Sequence, residues 1–178
     1  QNSETSIWHS NTDGSGINPT DFTNPEHTFE IQNTNTYTSA GNWTILGKLN
    51  VSGKLVVNGN HNINIKDNTT LVGANSGELE FTSPGGIFDA DGTFDASGGG
   101  VITFTAAGTL KLAAVAPDLG SNLSGTGTII YDLADDQTIY DITYSTLEID
   151  GSGDKDVGAN LTVEGDLTIT NGTLDLTN

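Results

Sequence analysis

Short apolar–polar alternations separated by Gly, Asn or Asp run through almost the whole chain, and almost nothing keeps the period of a helix. LNV at 49–51, LVV at 55–57, INI at 63–65, LEF at 79–81, ITF at 102–104 and LKL at 110–112 each predict a brief strand with alternate side chains facing inward. Leu55, Ile63, Leu71, Leu79, Ile87, Phe94, Ile102 and Leu110 follow one another at intervals of eight, eight, eight, eight, seven, eight and eight residues. Three such intervals make a coil of 23 or 24 residues. The expected fold is therefore all-β: a parallel β-helix, or β-solenoid, with three short strands per coil. That coil length favours the right-handed form, while Leu161, Leu167 and Leu174, six and seven apart, fit the shorter coils of the left-handed form. Leu55, Leu79 and Ile102 should share one interior column, Val57, Phe81 and Phe104 another, and Ile63, Ile87 and Leu110 a third. This register points Asp89 inward, level with Ile65 and Leu112, unless the strand bulges so that Phe88 takes the interior place. The bulge is the cheaper arrangement, because burying an unpaired carboxylate is costly.

A longer period lies over the coil. TFEIQNTNTYTSAGNWTILGKLNVSGKL, residues 28–55, returns as TLEIDGSGDKDVGANLTVEGDLTITNGTL, residues 146–174, at an offset of 118 with one inserted residue near the end. Glu30 and Glu148, Ile31 and Ile149, Asn42 and Asn160, Gly47 and Gly165, and Leu49 and Leu167 are identical pairs. Self-similarity at a fixed interval marks stacked units that bury their apolar faces against one another. The expected organisation is one continuous solenoid with three parts. Residues 1–30, turn-rich, form an N-terminal cap or module-opening segment; 31–145 carry the coils of the first repeat; 146–178 begin the second. Between Leu112 and Thr138 the spacing becomes irregular, predicting a longer excursion from the coil. The chain closes on a strand, GTLDLTN, so a continuation or a second subunit is expected to cover that end.

Charge narrows the partners. Asp and Glu number 23 against five lysines, Arg is absent, and the net charge is -18. Such a surface repels nucleic acid and anionic membranes and leaves divalent cations as plausible counterions. Without Cys there is no disulfide framework, thiolate metal site or Cys nucleophile. No apolar run approaches the roughly 20 residues that span a membrane. The opening QNSETS is neither basic nor apolar, so any signal peptide is expected to have been removed already.

Candidate chemistry is sparse. Lys48, Lys54, Lys66, Lys111 and Lys155 are scattered, and Asp135 and Asp136, being adjacent, would face opposite ways on a strand. Hydrolysis of a glycoside needs carboxylates converging at a set separation, and none is evident. Asn11-Thr12-Asp13 reads as a solvated turn, and His9, His27 and His61 lack the spacing of a metal site or triad. The chain is thus expected not to be an enzyme. Calcium is the better-supported ligand. Asp67 and Asp91 are 24 residues apart, one expected coil, and would stack about 5 Å apart. Asp89 and Asp95 lie beside Asp91 in DADGTFD. A hard cation with oxygen ligands would relieve the repulsion among Asp67, Asp89, Asp91 and Asp95, against the plainer reading of hydrated turns with Lys66 nearby. The T-x-T runs do not recur at the coil interval, so no flat Thr plane of the ice-binding kind follows. Trp43 aligns with Leu161 and is expected in the core.

Residues 137–176, QTIYDITYSTLEIDGSGDKDVGANLTVEGDLTITNGTLDL, combine several recognisable features. They are a Gln-Thr-Ile start, Tyr144 three residues before Leu147, a Gly151-Ser152-Gly153 turn with Lys155, and a Leu-Thr-Val…Leu-Thr-Ile…Gly-Thr-Leu run. The segment resembles repeat modules of very large secreted cell-surface, adhesin-like proteins of bacteria with type IX secretion, and residues 11–31 look like their module-opening segment. The first copy departs by lacking the Gln-Thr-Ile entry and by placing Tyr37 where Lys155 sits. The resemblance implies an extracellular, surface-exposed, non-enzymatic structural or adhesive stalk module, with no catalytic residues to transfer. The alternative is a carbohydrate-binding β-helix module, with calcium as a candidate ion. Expected partners are further repeats of the same chain, end-to-end self-association, and surface glycans, with no nucleic acid and no membrane insertion.

Overall fold

A computed structural model describes residues 21–73 and 77–177; Trp8, His9, Asn11-Thr12-Asp13 and most of the expected cap lie outside that range. The described residues contain no helix, and each of their ladders is parallel. About seven turns follow one another along the stack. The first is β1 (Thr28–Ile31), β2 (Thr36–Thr38) and β3 (Trp43–Ile45). The second is β4 (Lys48–Val51), β5 (Lys54–Val57) and β6 (Asn62–Ile65). The third is β7 (Thr69–Leu71), β8 (Glu78–Phe81) and β9 (Ile87–Ala90), and the fourth β10 (Phe94–Asp95), β11 (Val101–Phe104) and β12 (Thr109–Leu112). The fifth has two strands, β13 (Asn122–Gly125) and β14 (Thr128–Tyr131), and a single bridge from Asp118 to Asp95 on the remaining face. The sixth is β15 (Gln137–Ile139), β16 (Thr143–Tyr144) and β17 (Thr146–Ile149). The last strands are β18 (Asp154–Val157), β19 (Thr162–Val163), β20 (Leu167–Ile169) and β21 (Thr173–Asp175).

Three faces result. The first runs β1-β4-β7-β10 and, beyond the Asp118 bridge, β15-β18-β21; the second runs β2-β5-β8-β11-β13 and then β16-β19. The third is unbroken from β3 through β6, β9, β12, β14 and β17 to β20. Each strand is too short to stand alone, and alternate residues turn inward so that every turn buries its neighbour's apolar column. Leu55 pairs with Leu79 and Leu79 with Ile102; Val57 pairs with Phe81 and Phe81 with Phe104, as the spacing predicts. The Phe81 and Phe104 rings stack at 4.5 Å and 12°. Trp43 is buried on β3 against Phe22, whose ring lies 5.1 Å away and also meets Phe29 at 4.9 Å.

The third column needs correction. Ile63 pairs with Phe88, and Phe88 with Leu110, so Ile87 is not an interior residue. Six residues separate Val57 from Ile63 and Phe104 from Leu110, but seven separate Phe81 from Phe88. The extra residue sits in the Ser83-Pro84-Gly85-Gly86 connection and not in a bulge within the strand. It puts Ala90 level with Ile65 and Leu112 and turns Asp89 outward. The step between rungs also varies more than the expected 23 or 24 residues. It is 25 from Ile63 to Phe88, 19 from Leu110 to Ile129 and 18 from Ile129 to Leu147.

The long repeat is reproduced strand for strand, since β1 to β5 align with β17 to β21. Yet β1 lies on the first face and β17 on the third, β2 on the second and β18 on the first, β3 on the third and β19 on the second. The 118-residue interval therefore spans five turns and two faces, so the second copy is set one face out of phase with the first.

Glycines recur where one turn's connection crosses the ring of the turn before. A Cβ on Gly127 would stand 2.0 Å from Cδ1 of the Phe104 ring, and one on Gly108 2.7 Å from the same atom of Phe81. The Phe81 ring is fully buried and has no room to retreat. Gly108→Ala should cost about 1–3 kcal/mol, the usual toll of overpacking, read as a lower urea midpoint with an unchanged m value.

Candidate functional site

The expected acidic site is divided by the same one-residue slip. Lys66, not Asp67, stands opposite Asp91 and forms an ion pair with it, while the backbone of Asp67 lies against Gly92. Asp89 faces outward on β9, accepts a hydrogen bond from Asn64 at 2.7 Å and neighbours Lys111 across the ladder. Partial burial pushes its carboxyl above the ordinary range, helped by Asp91 and Asp132 and opposed by Lys111. Lys111 turns to Asp132 at 3.2 Å. Asp95 lies on the first face, beside Asp118, with its carboxylate accepting from the Ser97 backbone and hydroxyl at 2.9 and 2.6 Å. Among the described residues no three His, Asp or Glu side chains converge on one point as a metal would need. Lys54 similarly bridges Glu78 and Glu80 at 3.2 and 2.8 Å on the second face. These outward lysines knit successive turns together.

His61 approaches both the carbonyl and the hydroxyl of Ser39 through Nδ1, at 3.1 Å each. The buried Ser39 hydroxyl is occupied structurally: it accepts from the Asn58 amide at 2.9 Å and donates to the Asn58 carbonyl at 3.3 Å. A serine so engaged braces a turn.

The motif residues of the C-terminal segment have a common role that sequence reasoning missed. Gln137 and Lys155 are neighbours in the inward column of the first face, and both are buried, Lys155 with no exposed surface. Gln137 donates through Nε2 to the carbonyls of Leu112 and Ala114, both at 2.7 Å. The Lys155 ammonium donates to the carbonyls of Leu133, Asp135 and Ser152 at 2.9, 2.6 and 2.6 Å. Each side chain satisfies carbonyls at the corner where the third face turns into the first. Burial lowers the Lys155 pKa, while Asp136, Asp135 and Asp154 oppose the shift. Tyr144 donates to the Tyr140 carbonyl at 2.6 Å, its hydroxyl lies 2.7 Å from that of Tyr131, and Tyr131 accepts from the Tyr140 amide at 3.0 Å. Burial raises Tyr131 to about 12 and raises Tyr144 as well. One signal was present in the sequence: Lys155 occupies the inward position that Tyr37 holds in the first copy.

A concavity lies where the second face breaks between β13 and β16. The third face pairs unbroken through the same turns. Gly125 follows Phe104 in the inward column and leaves it without a side chain, its φ of 89° being a conformation glycine adopts freely. The notch holds about 190 Å³. It is lined by the buried Phe104 and Ile129, by Leu123 and Ser145, which are half-buried, and by the exposed Ser124, Thr143 and Glu164.

No protein-family model, curated protein or solved structure matches this chain. The class of protein therefore rests on its own geometry, which is that of a parallel β-solenoid.

Lys155→Met should cost about 1–3 kcal/mol, because three carbonyls at the corner lose their donor; urea unfolding measures it, and a loss under about 0.5 kcal/mol would mean that water replaces the ammonium. The tyrosine pair makes the fold alkali-sensitive. Its ionisation is opposed in the folded state, so the stability it lends is complete below the ordinary tyrosine value and is lost as pH rises toward about 12. Tyr131→Phe should flatten the fall in melting temperature above pH 10 (about the free tyrosine value).

Proposed function

We propose that this chain is a non-enzymatic structural or adhesive repeat module of an extracellular, cell-surface protein. The carrying observation is the strand-for-strand recurrence of β1–β5 as β17–β21 within one stack of parallel turns. Turns added to such a stack lengthen a rod without widening it, and each new turn is held by its neighbours. The polar residues of the C-terminal motif support the same reading, since Gln137, Tyr144 and Lys155 spend their hydrogen bonds on the backbone. The acidic exterior suits a soluble surface and disfavours nucleic acid and anionic lipid.

The module's partner is a further solenoid turn. Leu49 and Val51 on β4 are fully buried beneath β7, through the Leu49–Thr69 and Val51–Leu71 pairs. Their counterparts Leu167 and Ile169 on β20 are 46% and 50% exposed. The first copy thus displays the cover that fits this strand: a parallel strand of another turn, from the same chain or from a second copy associating end to end. Light scattering between micromolar and millimolar concentration should show reversible association that Leu167→Asp with Ile169→Asp abolishes without lowering the melting temperature. A strictly monomeric wild type would remove self-association and leave only repeats in the same chain as cover.

A further inference from the structure

We propose that the notch between β13 and β16 binds a single neutral pyranose ring, such as the terminal sugar of a surface glycan. Its size sets the first limit, because about 190 Å³ is room for one six-membered ring; a cavity of about 150 Å³ accepts benzene. Its chemistry sets the second. Half-buried Leu123 and the edges of the buried Phe104 and Ile129 give it an apolar side, whereas the more exposed Ser124, Thr143, Ser145 and Glu164 bring three hydroxyls and a carboxylate. A pyranose has this two-sided character, with C–H groups for the apolar side and hydroxyls for the rim. The rim oxygens are also unoccupied: the side chains of Ser124, Thr143, Ser145 and Glu164 hold no hydrogen bond with another described residue. This contrasts with Ser39, Tyr144 and Lys155, whose polar atoms are spent on the fold. Charge sets the third limit. No lysine lines the notch, Glu164 does, and the chain carries a net charge of -18, so uronates, sialic acids and sulfated or phosphorylated sugars are repelled.

The notch also has a cause within the fold. Gly125 follows Phe104 without a side chain, and β16 pairs with β19 alone, so β13 ends the second face's ladder and the column closes on a glycine. The third face pairs the same two turns through the β14–β17 ladder, which fixes their spacing on that side. The site gives the adhesive half of the proposed role a place on the molecule, and it stands apart from the scaffold half, which depends on stacking alone.

Titration of the whole chain with methyl glycosides of glucose, galactose, mannose and N-acetylglucosamine, followed by NMR, tests the site. At least one should bind with a Kd of about 0.1–10 mM, as befits a ligand of about a dozen heavy atoms, and shift the Phe104 and Leu123 resonances. Ser124→Trp, at an exposed rim position, should weaken binding about tenfold or more while leaving the melting temperature within a few degrees of the wild type. Glu164→Gln and Ser145→Ala should each weaken it severalfold, and they carry the test if the tryptophan variant fails to fold. Silence towards all neutral glycosides at about 20 mM would overturn the site and leave the light-scattering test of the scaffold untouched. Binding insensitive to all three substitutions would overturn it too, as would a preference for anionic sugars. Capture of p-cresol in place of any glycoside would likewise overturn it, pointing to a partner's aromatic side chain.

Discussion

Parallel pairing between successive turns governs this molecule, because it lays each inward side chain on the inward side chain one turn earlier. Strands about 4.8 Å apart leave no freedom in that direction. Everything else depends on how many residues the chain spends between one rung and the next. A step of 24 residues lays Leu79 on Leu55, and a step of 25 lays Phe88 on Ile63 and sends Asp89 to the surface. One residue in a connection thereby decides whether a carboxylate is buried, which strand residue fills the core, and which acidic side chains become neighbours.

Where the steps shorten, the interior changes character. The middle turns are filled by Leu, Ile and Phe, with the Phe81 and Phe104 rings stacked among them. In the sixth and seventh turns the inward column of the first face is Gln137 and then Lys155, each bonded to carbonyls at a corner of the chain. Corners are where backbone acceptors leave the ladders, and the amide and the ammonium supply the donors that those carbonyls would otherwise lack. The polar residues that made the C-terminal segment recognisable are thus residues the interior requires.

The one-face offset between the two copies follows from the same arithmetic. Equivalent strands in the two copies lie on different faces, so equivalent outward side chains point in different directions around the stack. A surface feature tied to the repeat would wind around the axis as repeats accumulate. The notch is a separate feature. It arises where Gly125 ends a column and the two-stranded β16–β19 pair begins, a junction between the copies.

Much of the architecture was legible in the amino-acid order. Alternation with a period of two, interrupted by Gly, Asn and Asp at near-regular intervals, has few physical solutions other than short stacked strands, and two interior columns were placed residue by residue. The long repeat was legible as well, because strand-forming patterns recur with their inward positions aligned. What sequence could not decide was the length of each step, since an extra residue in a Gly- and Pro-bearing connection leaves no mark on the alternation on either side of it. Only the folded stack shows whether that residue is absorbed in the strand or in the turn, and with it the fate of Ile87, Asp89 and the Asp67–Asp91 pair. The interior role of Lys155 was equally a tertiary decision. A lysine reads as a surface residue until the chain brings three carbonyls within reach of its ammonium, and two of them come from a turn about 20 residues away.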